Sequence, residues 1–320
     1  MSPKKPETLV QKIKKNHINT HDKKIIVACS GGPDSMVLLD LYVEGLLPSS
    51  GIIVAHINHH LRKTAKRDED IVQKYCAQNK LIFEALQTDI KKEAKKTKTT
   101  IEECARNIRK KWLESIRKKY RADLIATAHH SDDQAETILY RITKWTALTG
   151  LVGIESLAGS YIRPLLSVTK DEILVYAKEH GIIFWHDETN DDTDIPRNLL
   201  RHKVLPEIRT INPEVNNALS RLSHSAQELK MSFDAFFTEV VEKKSFELDW
   251  YHGLPLGFQH ELLRFLYERA NGSTHGLSTA LIEELDRFLS TRNGGKKEIK
   301  KMKLEKKQGK ILLRFSNDVF

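Results

Sequence analysis

Short β-branched runs alternate with amphipathic stretches through the first two thirds of the chain. Ile25–Cys29, Ile52–Ile57, Leu81–Leu86 and Leu124–Ala128 read as strands, and the apolar residues between them recur at three and four. Asp68–Asn79 predicts one helix. Thr100 and Glu103 form a capping box that opens another, with Ile101, Ala105, Ile108, Trp112 and Ile116 as its buried stripe and the preceding lysines as a loop. Thr169 and Glu172 repeat the box for a helix to about His180, and Lys4–Lys24 predicts a basic helix with Leu9 and Ile13 inward. Strands and helices at this spacing imply an α/β fold, a doubly wound parallel sheet that binds ligands at the carboxyl ends of its strands. After Pro206 and Pro213 the period becomes helical to about Lys244, with Leu219, Leu222, Ala226, Leu229 and Phe233 as its stripe; two helices and a closing pair of strands follow. The expected division is a catalytic domain over residues 1–212, a helical linker over 213–249 and a small α+β domain over 250–320.

The first strand breaks into S-G-G-P-D-S, Ser30–Ser35, and resumes as M-V-L-L-D-L. Strand, tight loop and helix in that order aim backbone N–H groups and a helix N-terminus at one point, which makes an anion site. Gly31 and Gly32 let the backbone approach a phosphate, Pro33 suits the first helical turn, and Ser30 and Ser35 add hydroxyl donors. The loop has neither the lysine of a Walker loop nor G-x-G-x-x-G. It carries Asp34 instead, a carboxylate that belongs beside phosphates when a cation such as Mg²⁺ lies between. In this it resembles the pyrophosphate (PP) loop of enzymes that split ATP between its α and β phosphates. A plain glycine turn is the alternative.

Composition narrows the class. The 320 residues are 30% charged and 40% hydrophobic, with a net charge of +9 and a pI near 9.2. That balance suits a polyanionic partner, although an even coat of lysine gives the same total. Lys91–Lys119 holds twelve basic residues against four acids, and residues 291–320 hold ten against three. Cys29, Cys76 and Cys104 lack any C-x-x-C pairing, which points to a reducing compartment without disulfides or a zinc knuckle. No run reaches transmembrane length and no signal core opens the chain, so no membrane partner is expected and the cytoplasm is the expected compartment.

Two further segments fall at the ends of predicted strands. H-I-N-H-H-L-R spans His56–Arg62, where His56 is either a ligand or a hydrogen-bonded structural histidine. T-A-H-H-S-D-D-Q-A-E-T starts at Thr127; Ser131 or Asp132 can cap the helix that follows. Asp132, Asp133 and Glu136 share the sheet edge with Asp34, and such stacked carboxylates call for a divalent cation or a cationic substrate among them. Arg106 and Arg109 offer guanidinium forks to a phosphate, against the alternative of a solvated charged face.

With E-E-C-A-R-N-I-R, R-P-L-L at Arg163 and R-N-L-L-R at Arg197, these motifs occur in an order that resembles the tRNA-isoleucine lysidine synthetase family, over about Lys24–Pro206. The resemblance implies an enzyme that joins free L-lysine to the wobble cytidine of isoleucine tRNA with a CAU anticodon. ATP adenylates the cytosine O2, and the lysine ε-amine then displaces AMP at C2. It implies that Ser30, Gly31, Gly32, Pro33, Asp34 and Ser35 hold the pyrophosphate, with Asp34 on Mg²⁺ and His56 beside the nucleotide. Arg106 and Arg109 would neutralise phosphate charge, Asp132 and Asp133 would bind metal or lysine, and Arg197 and Arg201 would meet tRNA phosphates or pair with acids just upstream. One departure is Lys144–Thr149, K-W-T-A-L-T, where the family carries an arginine and small residues. Monomer and homodimer are both compatible with the sequence. The rival readings are another PP-loop tRNA-modifying enzyme, such as a tRNA thiolase, and a non-catalytic RNA-binding module.

Overall fold

A computed structural model of the chain describes residues 8–15, 18–58, 65–144, 147–185, 196–274, 276–291 and 294–315. The chain divides into two compact units, Met1–Ser223 and His224–Phe320. The first opens with α1, Leu9–Lys15, which buries Leu9 and Ile13 as predicted. It is much shorter than the expected Lys4–Lys24 helix, of which residues 4–7 and 16–17 lie outside the described residues. The Asn19 side chain accepts the His21 N–H at 3.1 Å, a local bond that competes with the helical ladder.

There follow β1 (Lys24–Ala28), α2 (Pro33–Val43), β2 (Gly51–Asn58), α3 (Ala65–Gln78) and β3 (Ile82–Gln87). The lysines expected in a loop form α4, Ile90–Thr97, because Asp89 caps it through the Lys92 N–H and Ile90 and Ala94 bury one side. Next come α5 (Ile101–Lys119), β4 (Leu124–Ala126) and α6 (Ser131–Thr143). Thr100 caps α5 as predicted, but Ile101 is exposed while Cys104, Leu113 and Ile116 are buried, so the covered face is turned from the expected stripe. The N-cap of α6 is His130, with Asp133 accepting the His130 N–H at 3.0 Å; neither Ser131 nor Asp132 takes that place. The unit continues through β5 (Leu157–Ala158), β6 (Tyr161–Ile162), α7 (Lys170–Glu179), α8 (Pro196–Leu199) and α9 (Leu205–Ile211). Thr169 and Glu172 close the reciprocal capping box of α7.

Among the described residues the sheet runs β3-β2-β1-β4-β6-β5, parallel except for β5 at the edge. β1 is central, and Ile25, Ile26 and Val27 expose nothing, which is why it reads as a continuous apolar run rather than an alternating one. The chain winds outward from β1 through β2 to β3 and returns on the other side of β1 as β4. That reversal opens a crevice at the carboxyl ends of β1 and β4.

The long helix α10 (Val215–Glu242) begins in the first unit and ends in the second. Ala226, Phe237 and Val240 are buried on it, whereas Leu222 and Leu229 of the expected stripe are each 39% exposed. The second unit adds β7 (Ser245–Glu247), α11 (Leu248–Gly253), α12 (Leu256–Asn271), α13 (Thr279–Ser290), β8 (Gly295–Ile299), β9 (Met302–Lys307) and β10 (Lys310–Phe315). Its sheet is antiparallel in the order β7-β10-β9-β8, two strands more than the closing pair expected. The three-residue strand β7 is too short to carry an alternation signal. Tyr251, Tyr267, Leu262, Leu285 and Leu289 fill the core between helices and sheet.

Candidate active site

The glycine loop joins β1 to α2 at that crevice. Gly31 has φ +88, and a Cβ there would stand 3.1 Å from the Asp68 carbonyl oxygen of α3. Glycine is therefore required by both conformation and space. Gly32 is extended at φ −76 and Pro33 begins α2. Ser35 braces the loop from within: its hydroxyl accepts the Ser30 N–H at 3.1 Å and donates to the Gly32 carbonyl at 3.0 Å. The Trp185 N–H closes over the far side onto the Gly31 carbonyl at 3.1 Å, and the Arg67 guanidinium stacks on the Trp185 ring at 3.5 Å. His56 is buried beside the loop and donates through Nδ1 to the Cys29 carbonyl at 2.9 Å. Burial holds its pKa below the usual histidine value, against the pull of that bond and of Glu69 and Asp68. Asn58 follows on β2, while residues 59–62 of the predicted histidine segment lie outside the described residues.

Across the crevice, the loop after β4 leads into α6 and its acids. The sequence calls for an external cation among these carboxylates; the protein supplies its own. Lys170 Nζ lies 2.5 Å from Asp34 Oδ1. Arg201 donates through Nε to Glu136 at 2.6 Å and through Nη2 to Asp133 at 3.2 Å, and Arg209 pairs with Asp132. His130 is buried among three acids, with Nδ1 3.4 Å from Asp132 and Nε2 3.5 Å from Asp133 and 3.9 Å from Asp34. Burial alone would lower its pKa, but Asp132, Asp133 and Asp34 together raise it. Burial also works against the charge of Asp132, yet His130, the Lys170 backbone N–H and Asn216 outweigh it and hold this carboxyl well below the usual range. Glu136 goes the other way: burial raises its pKa, and Arg201 offsets only part of that.

These contacts distinguish the three acids. Asp132 accepts from the Lys170 N–H at 2.8 Å and from Arg209, so it ties the start of α6 to α7 and α9. Asp133 and Glu136, one helical turn apart, face Arg201. Arg201, expected at a tRNA phosphate or at acids just upstream, is thus turned onto α6, while Arg197 on α8 is exposed. The upstream acids fall in residues 186–195, outside the described residues, as do Trp145 and Thr146 of the altered loop. Arg106 and Arg109 are exposed on α5. Loss of water among its neighbours and the charge of Arg106 lower the pKa of Arg109. His129 keeps a face open to solvent but is pushed down to about 4, chiefly by loss of water, against the pull of the Asp133 carboxylate and with Arg163 and Arg109 adding to the fall.

Sequence reasoning missed Lys170, Arg209 and the inward role of Arg201. Lys170 left one signal: a lysine in the first turn of a helix opposes the helix dipole, so it needs a reason outside that helix. Arg209 left none, because a cation in the last turn of α9 already suits the dipole.

A family model described as the PP-loop domain matches residues 5–208. A bifunctional protein TilS/HprT of Listeria monocytogenes is 36% identical over 236 residues, which covers 72% of this chain and 36% of that protein. A tRNA(Ile)-lysidine synthase of Bacillus subtilis is 33% identical over 280 residues, 82% of this chain and 59% of that enzyme. The chain thus spans between about a third and three fifths of the length of these curated relatives. Among solved structures, the U34-tRNA thiolase NcsA of Methanococcus maripaludis with its 4Fe-4S cluster aligns with a TM-score of 0.58 at 20% identity, over 69% of this chain and 78% of that one. At that identity the likeness concerns the fold.

Proposed function

Because the chain belongs to the PP-loop domain family, we propose that it is a cytoplasmic tRNA(Ile)-lysidine synthase, a carbon–nitrogen ligase using ATP, L-lysine and the CAU-anticodon isoleucine tRNA. The observation that carries this reading is the pairing of Asp34 with an alkyl ammonium, Lys170 Nζ, at 2.5 Å, across the crevice from further carboxylates on α6. A carboxylate of the loop that would receive a pyrophosphate thus already holds the head of a lysine side chain. The curated relatives with synthase names, at 33–36% identity, support the same reading.

In the first step the cytosine O2 attacks the α-phosphorus and pyrophosphate leaves. The N–H groups of Gly31, Gly32 and the first turn of α2 receive the leaving pyrophosphate, and Arg106 and Arg109 neutralise the charge that develops on the phosphates. His56, fixed by the Cys29 carbonyl, lines the nucleotide side of the loop. In the second step the neutral ε-amine attacks C2, the bond to AMP breaks, and the amine proton passes to a carboxylate. Asp133 or Glu136 accepts it, because Asp132 is held ionised by Arg209 and the Lys170 N–H.

Among the described residues no three or more His, Cys, Asp or Glu side chains converge on a metal site. A Mg²⁺ ion that draws its other ligands from phosphates and water needs only one or two carboxylates, and Asp34 fits as its single protein ligand once Lys170 moves aside. Bound there, the ion would neutralise charge on the leaving pyrophosphate. Sulfur transfer fits these residues poorly, since Cys29, Cys76 and Cys104 are all buried thiols.

Labelled lysine supplied with ATP and Mg²⁺ tests the proposal. Incorporation is expected into the CAU isoleucine transcript and not into a wobble-U variant or methionine tRNA. ATP cleaved to AMP and pyrophosphate without incorporation would overturn lysine as the nucleophile.

A further inference from the structure

We infer that Lys170 is the resident counter-ion of Asp34, a positioning residue that keeps a divalent cation off the glycine loop until ATP brings one. The inference rests on the ATP-binding part of the reading above and adds to it the group that Mg²⁺ has to replace. Lys170 Nζ lies 2.5 Å from Asp34 Oδ1, although the two residues are 136 apart in the chain. Neither helix needs the pair for its own sake. Asp34 stands in the first turn of α2, where the helix dipole already favours a carboxylate. Lys170 opens α7, where the same dipole disfavours a cation. What the pair does is neutralise the carboxylate of the glycine loop.

The main chain and the side chain of Lys170 are held separately. Its N–H donates to Asp132 at 2.8 Å, and Thr169 and Glu172 fix the turn around it, so the start of α7 stays in place when the ammonium lets go. The Lys170 and Asp34 side chains are 34% and 29% exposed, which leaves the ammonium a path into water and makes the bond weak and exchangeable. His130 does not substitute for it: Nε2 stands 3.9 Å from Asp34 and nearer, at 3.5 Å, to Asp133. A Mg²⁺ ion on the same carboxylate would stand within about 5 Å of the ammonium, so like-charge repulsion sets the two cations in competition. A bare ion must displace the ammonium unaided. An ion already bonded to phosphates also gains the N–H groups of the loop through them, and that second attachment offsets the lost pair.

The test needs neither tRNA nor lysine, so a failed ligation reaction does not decide it. Loss of a partly exposed ion pair corresponds to about threefold in affinity. In the full chain without nucleotide, Lys170→Met should bind Mn²⁺, read from the electron paramagnetic resonance of the free ion, about threefold more tightly than wild type. Adding Asp34→Asn should remove the gain, and Lys170→Arg, which keeps the charge, should bind Mn²⁺ as wild type does. Calorimetry with ATP gives a second reading. Without metal, the bare Asp34 carboxylate of Lys170→Met should weaken ATP binding about threefold, while Mg-ATP binds at least as tightly as in wild type. Lys170→Gln serves in its place if the methionine variant does not fold. Unchanged Mn²⁺ affinity in a variant that melts within about 2 °C of wild type overturns the inference. An equal loss for ATP and Mg-ATP overturns it too, because Lys170 would then be a fixed phosphate ligand. A wild-type chain that binds no ATP refutes the nucleotide reading itself, and the inference with it.

Discussion

Replacing Arg201 by Gln isolates the balance of charge on α6. The Glu136 side chain is only 4% exposed and its two oxygens lie 2.6 and 3.1 Å from the guanidinium, whose own side chain is 34% exposed. Removing one member of a buried pair costs about 3–5 kcal/mol; with a third of Arg201 open to water, we expect about 2–3 kcal/mol here. For a unit of this size that corresponds to a fall in Tm of about 5–10 °C. The pH dependence gives the sign. The Glu136 pKa is raised in the folded chain by burial, with Arg201 opposing that rise. A carboxyl raised on folding contributes stability in full below its unfolded pKa and loses it as pH rises through the folded value. Without Arg201 the folded value rises further. The deficit of Arg201→Gln should therefore be largest at neutral pH and shrink as pH falls toward the ordinary glutamate value. Adding Glu136→Gln removes the uncompensated charge and should restore most of the lost stability at neutral pH. Thermal unfolding of the wild type, both single variants and the double variant across pH reads all of this. A neutral-pH Tm within about 2 °C of wild type, or a deficit that Glu136→Gln does not relieve, refutes the argument from buried charge.

The two loop glycines should behave differently. Gly31→Ala places a Cβ at φ +88 and 3.1 Å from the Asp68 carbonyl oxygen, so it should cost about 2 kcal/mol and abolish ATP binding. Gly32→Ala, at φ −76 with only the Ser30 hydroxyl at 3.6 Å, should leave Tm nearly unchanged; equal melts for the two would contradict the geometry. Burial pushes the Cys29 thiol up to about 11 and the Cys76 thiol up to about 12. Cys104 is buried as well, so all three cysteines should resist iodoacetamide at pH 8 until the chain is unfolded, and a folded variant with all three changed to Ala should still incorporate lysine. Loss of turnover in that variant would favour sulfur transfer instead.

The sequence by itself determined the strand order of events: an apolar run, two glycines, a proline and a carboxylate specify strand, anion loop and helix, because each of those residues acts through its own backbone. The capping box at Thr169 and Glu172 and the burial of Leu9 and Ile13 were equally legible, since caps and helical periods are fixed within a few residues. The lysines of α4 misled because exposed lysines are compatible with helix or loop, and the deciding contacts were Ile90 and Ala94 against α5. Compensation among the acids depended on tertiary structure alone. Lys170 is 136 residues from Asp34 and Arg201 is 65 from Glu136, and no local pattern encodes which distant cation meets which carboxylate. Folding the sheet brings them to one edge. There the low dielectric makes the choice of partner matter, and it decides that Asp132 ties α6 to α7 and α9 while Asp133 and Glu136 face Arg201.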